Sequence, residues 1–171
     1  MSSNLNTSLE HRLATKTTPK KQFEAVEGKF GKEKKDSDLV KIIHQFTKVL
    51  EQHRGERQII VIQDFPDPDA LSSAWAYQLI AANYEISCDI VYGGTLSHQE
   101  NITLVRLTGL PATRYIHTAL QEEDLSVYQG CVLIDSQGTN SQLYAVVEAA
   151  GIPLMVVVDH HTKQGEIKAE F

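Results

Sequence analysis

Three short stretches hold the residues best able to do chemistry: Asp67-Pro68-Asp69, Asp135, and Asp159-His160-His161. Each follows a run of apolar, largely β-branched residues, at 58–62, 131–134 and 153–158, of the kind that forms buried strands. If these strands are parallel, their carboxyl ends share one edge, and a single cleft gathers up to five aspartates, counting Asp64 just before the first stretch, and two histidines. Like charges a few ångströms apart at low dielectric repel by several kcal/mol, so such a group is stable only when protons or cations neutralise it. Carboxylates with one or two imidazoles and no thiolate suit Mn²⁺ or Mg²⁺, with Co²⁺, Fe²⁺ and Zn²⁺ as substitutes. Two such ions about 3.5–4 Å apart can clamp both oxygens of an in-line phosphoryl displacement.

Each stretch also has a plainer reading. Asp67-Pro68-Asp69 is a good helix start, because Pro fits the first turn and Asp accepts from free amides. Asp135 could cap the segment after it, and His160-His161 could be a polar loop. Their joint occurrence at the ends of three strands is what favours the metal site.

The elements that position these residues alternate. Leu39, Ile42, Ile43, Phe46, Val49 and Leu50 fall at helical spacing behind a cap at Asp36 or Ser37, and Gly55 closes that helix. After the strand at 58–62 the pattern predicts a helix over 70–83 and a strand over 85–92. Gly93-Gly94 breaks this strand, and Ser97 caps a helix running to Leu107. Residues 112–128 read as a short strand and a polar helix or loop, followed by the strand at 131–134, a helix over 140–150 and the strand at 153–158. Residues 165–171 read as the start of one more strand. This order implies an α/β fold, a doubly wound and mainly parallel sheet flanked by helices, with ligands beyond the carboxyl ends of the strands.

Composition narrows the setting. The chain has 171 residues and a net charge of −6. Residues 1–35 carry eight basic against four acidic residues, a net +4, which leaves −10 on the rest. That first stretch is rich in Ser, Thr, Asn and Lys and reads as a flexible basic tail, either a solvated extension or a contact for nucleic acid. Residues 36–171 read as the folded domain. Apolar residues make up 42% of the chain, enough for a core, yet no apolar run approaches the ~20 residues of a spanning helix. Cys88 and Cys131 lie in apolar stretches, as buried thiols of a reducing compartment do, and with no readable secretion signal this points to the cytoplasm.

In order and approximate spacing, Asp67-Pro68-Asp69-Ala70 with Leu71-Ser72-Ser73-Ala74, then Asp135, then Asp159-His160-His161 resembles the DHH phosphoesterase superfamily over about residues 55–171. That superfamily includes NrnA-type oligoribonucleases and nucleotide phosphatases, RecJ exonucleases, cyclic-dinucleotide phosphodiesterases and family II inorganic pyrophosphatases. The resemblance implies a site for two Mn²⁺ ions: Asp67 on the first, Asp69 and His160 on the second, and Asp135 bridging both. It implies that His161 faces the substrate phosphate and that Asp159 orients the histidines. Gln63 stands where many members have a histidine ligand, which implies a weaker first site. His98 and Asn101 lie in a stretch resembling one bacterial branch, and their spacing fits one helix face, as a cap or polar surface. The ten residues after His161 hold no further aspartate ligand and no substrate domain. The expectation is therefore the metal-binding part of a phosphoesterase for nucleotides or short oligonucleotides, weak or inactive alone. The alternative is a non-enzymatic remnant that binds a nucleotide or a protein, and an unfinished sheet edge near Phe171 would suit pairing as a homodimer.

Overall fold

The computed structural model describes residues 34–115, 125–139 and 141–171. The expected basic tail, all but its last two residues, lies outside them. The chain divides into Met1–Ile42, described only as the helix from residue 34 on, and a compact unit, Ile43–Phe171. Element order is α1 (Lys34–Gln52), β1 (Arg57–Ile62), α2 (Pro68–Ala82), β2 (Ser87–Tyr92), α3 (Gln99–Thr108), β3 (Ala112–Arg114), β4 (Gly130–Ile134), α4 (Gln142–Ala149) and β5 (Leu154–Val158).

The five strands form one sheet in the order β3-β2-β1-β4-β5, and every pairing is parallel. Strand β1 is central because its side chains from Gln58 to Ile62 are buried on both faces. Alternate residues serve opposite faces. Ile60, Ile62, Ile90, Tyr92, Val132, Ile134 and Val156 pack under Val49 and Leu50 of α1 and the Ala70-Leu71-Ala74-Tyr77-Ala81 stripe of α2. Ile59, Val61, Val91, Cys131 and Leu133 pack under Leu143 and Val147 of α4. The sheet is thus covered on both faces, which is the doubly wound α/β class expected from the alternation. Chain direction along the sheet reverses between β1 and β4, so the switch point lies where the first two acidic stretches emerge.

Local differences have physical causes. Asp36 and Ser37 lie inside α1, not at its cap. The expected apolar stripe of that helix is buried only at its C-terminal end, with Leu39 and Ile42 each 49% exposed. His98, not Ser97, takes the capping position of α3, and its side chain makes no capping bond. The helix expected over 140–150 starts at Gln142, where Ser141 Oγ accepts from Tyr144 N–H at 3.1 Å. Residues 116–124, in the stretch left open between strand and helix, lie outside the described residues. No strand forms over 165–171, but Glu170 and Phe171 N–H donate to the Met155 carbonyl at 3.0 Å and Val157 N–H donates to the Phe171 carbonyl at 2.8 Å. This is the bonding pattern of a parallel pair, so these two residues lie along the outer edge of β5. The Phe171 ring sits 5.2 Å from that of Phe46. Among the described residues no helix is long and apolar enough to cross a membrane. Burial pushes the Cys88 and Cys131 thiols up to about 12, which keeps both protonated and inert.

At the amino edge, His53 ties three segments together. Its Nδ1 lies 3.0 Å from Glu56 and its Nε2 3.0 Å from Glu170. Burial alone would lower the His53 pKa, but the two carboxylates outweigh it and raise it above 6.5. A raised folded value stabilises the protein fully below the unfolded pKa, and this contribution is lost as pH rises through the folded one. Urea unfolding across pH 5.5–9 should show wild type losing more stability on the alkaline side than His53→Gln. Parallel profiles would contradict the assignment.

Candidate metal centre

Strand β4 ends at Ile134, and the next residue turns left-handed: Asp135 has φ +54°. Asp adopts this region more readily than most residues, and Asp135 is held there by its N–H, which donates to the Val158 carbonyl at 2.8 Å. The turn leaves a carboxylate only 6% exposed at the tip of the strand. Around its Oδ1 stand His160 Nε2 at 3.3 Å and His161 Nδ1 at 3.7 Å, both delivered by the segment after β5. His160 Nε2 is also 3.8 Å from Asp69 Oδ2 in the first turn of α2. Burial raises the Asp135 pKa, and Asp67 and Asp69 push the same way against the two histidines. A carboxylate in that position gains from a nearby cation.

Asp67 shows that the two readings of its stretch coexist. Its Oδ1 accepts from Ala70 N–H at 2.9 Å and caps α2, with Pro68 in the first turn. One oxygen is used in capping, while the charge still acts on Asp135. Gln63 lies half-buried just past the end of β1. Asp64 takes another course: its carboxylate lies against Gly93, where a Cβ would come within 2.2 Å of Oδ1, and that oxygen is buried without a hydrogen bond.

Asp159 sets the roles of the two histidines. Its Oδ1 is 2.7 Å from His161 Nδ1, and its Oδ2 accepts from Gln137 Nε2 at 2.6 Å. Burial would raise Asp159, but these bonds outweigh it and hold its carboxyl below the usual range. The Asp159 contact in turn raises His161. With Nδ1 committed to Asp159, His161 has only Nε2 left for a ligand, whereas His160 Nε2 already faces Asp135 and Asp69. Asp135, His160 and His161 each offer a ligand atom within 4.8 Å of the others, the one such group among the described residues. Donors about 2.0–2.1 Å from one small ion lie roughly 3–4 Å apart, the spacing of His160 Nε2 from Asp135 Oδ1 and Asp69 Oδ2, so small side-chain movements would let these three hold a divalent cation.

Two supports have roles that the sequence did not mark. Gln137 braces the loop after β5: besides Asp159 it donates to the Thr162 carbonyl at 3.2 Å, and its Oε1 accepts from Gln164 N–H at 2.8 Å. Its only sequence signal is a position two residues beyond the strand-end acid. Asn101 is neither cap nor surface. It is 3% exposed, and its Nδ2 donates to the Pro66 carbonyl at 2.8 Å, fixing the loop that leads to Asp67.

No protein-family model matches the chain. Among curated proteins, an uncharacterized protein of Methanocaldococcus jannaschii is 30% identical over 112 residues, which cover 65% of this chain and 21% of the relative. The chain thus spans about a fifth of the length of the curated relative it matches.

Asn101→Leu leaves the Pro66 carbonyl without its donor and should cost about 1–3 kcal/mol. His98→Ala should stay within about 0.5 kcal/mol of wild type, since its exposed ring makes no capping bond. Urea unfolding of both variants separates them, and equal effects would contradict the bracing role.

Proposed function

We propose that this chain is the metal-binding part of a phosphoesterase of the DHH type, acting on nucleotides or short oligonucleotides with Mn²⁺. The observation that carries the reading is the meeting of three strand tips at one buried carboxylate, with His160 and His161 of one segment 3.3 and 3.7 Å from Asp135. Asp67 with Asp135 would hold the first ion, and Asp69, Asp135 and His160 the second. Oxygen and imidazole donors without thiolate suit Mn²⁺ over softer metals. Bound ions would supply Lewis acidity toward a phosphoryl oxygen and acidify the attacking water.

The chain's own residues supply orientation and charge. Asp159 holds the His161 ring through Nδ1 and favours its protonated form. The protonated ring carries a second N–H at Nε2, a donor suited to a phosphate oxygen as negative charge builds on it. Gln137 keeps Asp159 in place, and so fixes the ring at one remove. Gln63 contributes at most a neutral amide oxygen beside the first ion, which favours unequal affinities for the two.

Calorimetric titration with Mn²⁺, followed by hydrolysis of pAp and of a generic phosphodiester, tests the proposal. Saturable binding that Asp135→Asn weakens at least about tenfold, with Mn²⁺-dependent hydrolysis abolished by the same change, is the expected outcome. Absence of saturable Mn²⁺ binding, or hydrolysis indifferent to Asp135→Asn, contradicts it.

A further inference from the structure

Phe65 is the one aromatic residue exposed among the described residues, at 64%. Every other described Phe, Tyr and Trp is buried or half-buried, and several line the two cores. The exception sits on the segment between β1 and α2, two residues before Asp67, so its Cα lies no more than about 7 Å from that of Asp67.

Three contacts fix the position of this segment. On one side the Pro66 carbonyl is held by buried Asn101. On the other, the Asp64 carboxylate and carbonyl press on Gly93 and Gly94, where added Cβ atoms would come within 2.2 and 2.3 Å of them. A Cβ on Gly94 would also meet Phe65 Cε1 at 3.0 Å, so the absence of a side chain at 94 gives the edge of the ring its seat. The ring is therefore an open apolar surface on a held segment, at the same edge of the sheet as Asp135.

We propose that Phe65 is the stacking platform for the base of a nucleotide whose phosphate is bound at the metal centre built on Asp135 and His160, beside His161. The inference rests on the phosphoester reading above and adds the part of the substrate that the ring selects. A ribose separates phosphate from base, and Phe65 stands two residues from Asp67, whose charge acts on Asp135, so the ring's segment borders the cluster without entering it. Every base offers a π-face, so stacking on a ring selects for a nucleobase without choosing among them.

Calorimetry on the full chain with Mn²⁺ compares AMP with ribose 5-phosphate, which differs only by lacking the base. Wild type should bind AMP about tenfold more tightly or better, the range of one stacked base. Phe65→Ala should erase most of that preference and leave ribose 5-phosphate binding unchanged, which also shows the variant folded. Phe65→Tyr should retain it. Equal binding of the two ligands by wild type, or an AMP preference that survives Phe65→Ala, overturns the stacking role alone. Failure of both ligands to bind wild type overturns the phosphoester reading and the inference with it.

Discussion

A carboxylate placed at the buried tip of an inner parallel strand is a charge that its surroundings have to balance. Asp135 is in that position, and the arrangement around it follows from this constraint. Unit charges about 4 Å apart interact by roughly 4 kcal/mol at an effective dielectric near 20, so neighbouring acids at such range are a real liability and a cation a real gain. Asp67 and Asp69 stand on the unfavourable side, and His160 and His161 on the favourable side only when protonated. The backbone adds its own cost. A left-handed Asp is less stable than a Gly would be at that turn. Glycine would relax the turn but supply no carboxylate.

Much of this could be read from the sequence because it depends on short-range pattern. Apolar runs at 58–62, 131–134 and 153–158 appear as strands β1, β4 and β5 within a residue or two, and their parallel order brings Asp67, Asp135 and Asp159 to one edge. Strands buried on both faces leave few arrangements other than a parallel sheet wound by helices. The helix-cap reading of Asp67 and its place near the cluster are both realised, because a carboxylate has two oxygens and a charge that acts beyond its hydrogen bonds.

What escaped sequence reasoning depends on contacts between segments distant along the chain. Gln137 reaches Asp159 across 22 positions and Gln164 across 27, and nothing local distinguishes it from any loop glutamine. Asn101 is buried because it meets Pro66, 35 positions away, whereas helix periodicity alone suggested a cap or a polar face. Leu39 and Ile42 continue an apolar stripe that periodicity extends but burial does not. The tail end of the chain has the alternation of a strand, yet only Glu170 and Phe171 bond to β5.

The central claim is that Asp135 holds a charge suited to a divalent cation, and thermal unfolding with and without Mn²⁺ tests it most directly. Wild type should gain stability as Mn²⁺ rises, by about 2.7 kcal/mol at a hundredfold excess over Kd. Asp135→Asn removes the buried charge, so the metal-free variant should unfold no lower than metal-free wild type and should show little response to Mn²⁺. Equal Mn²⁺ stabilisation of both proteins, or none of wild type, would contradict the account.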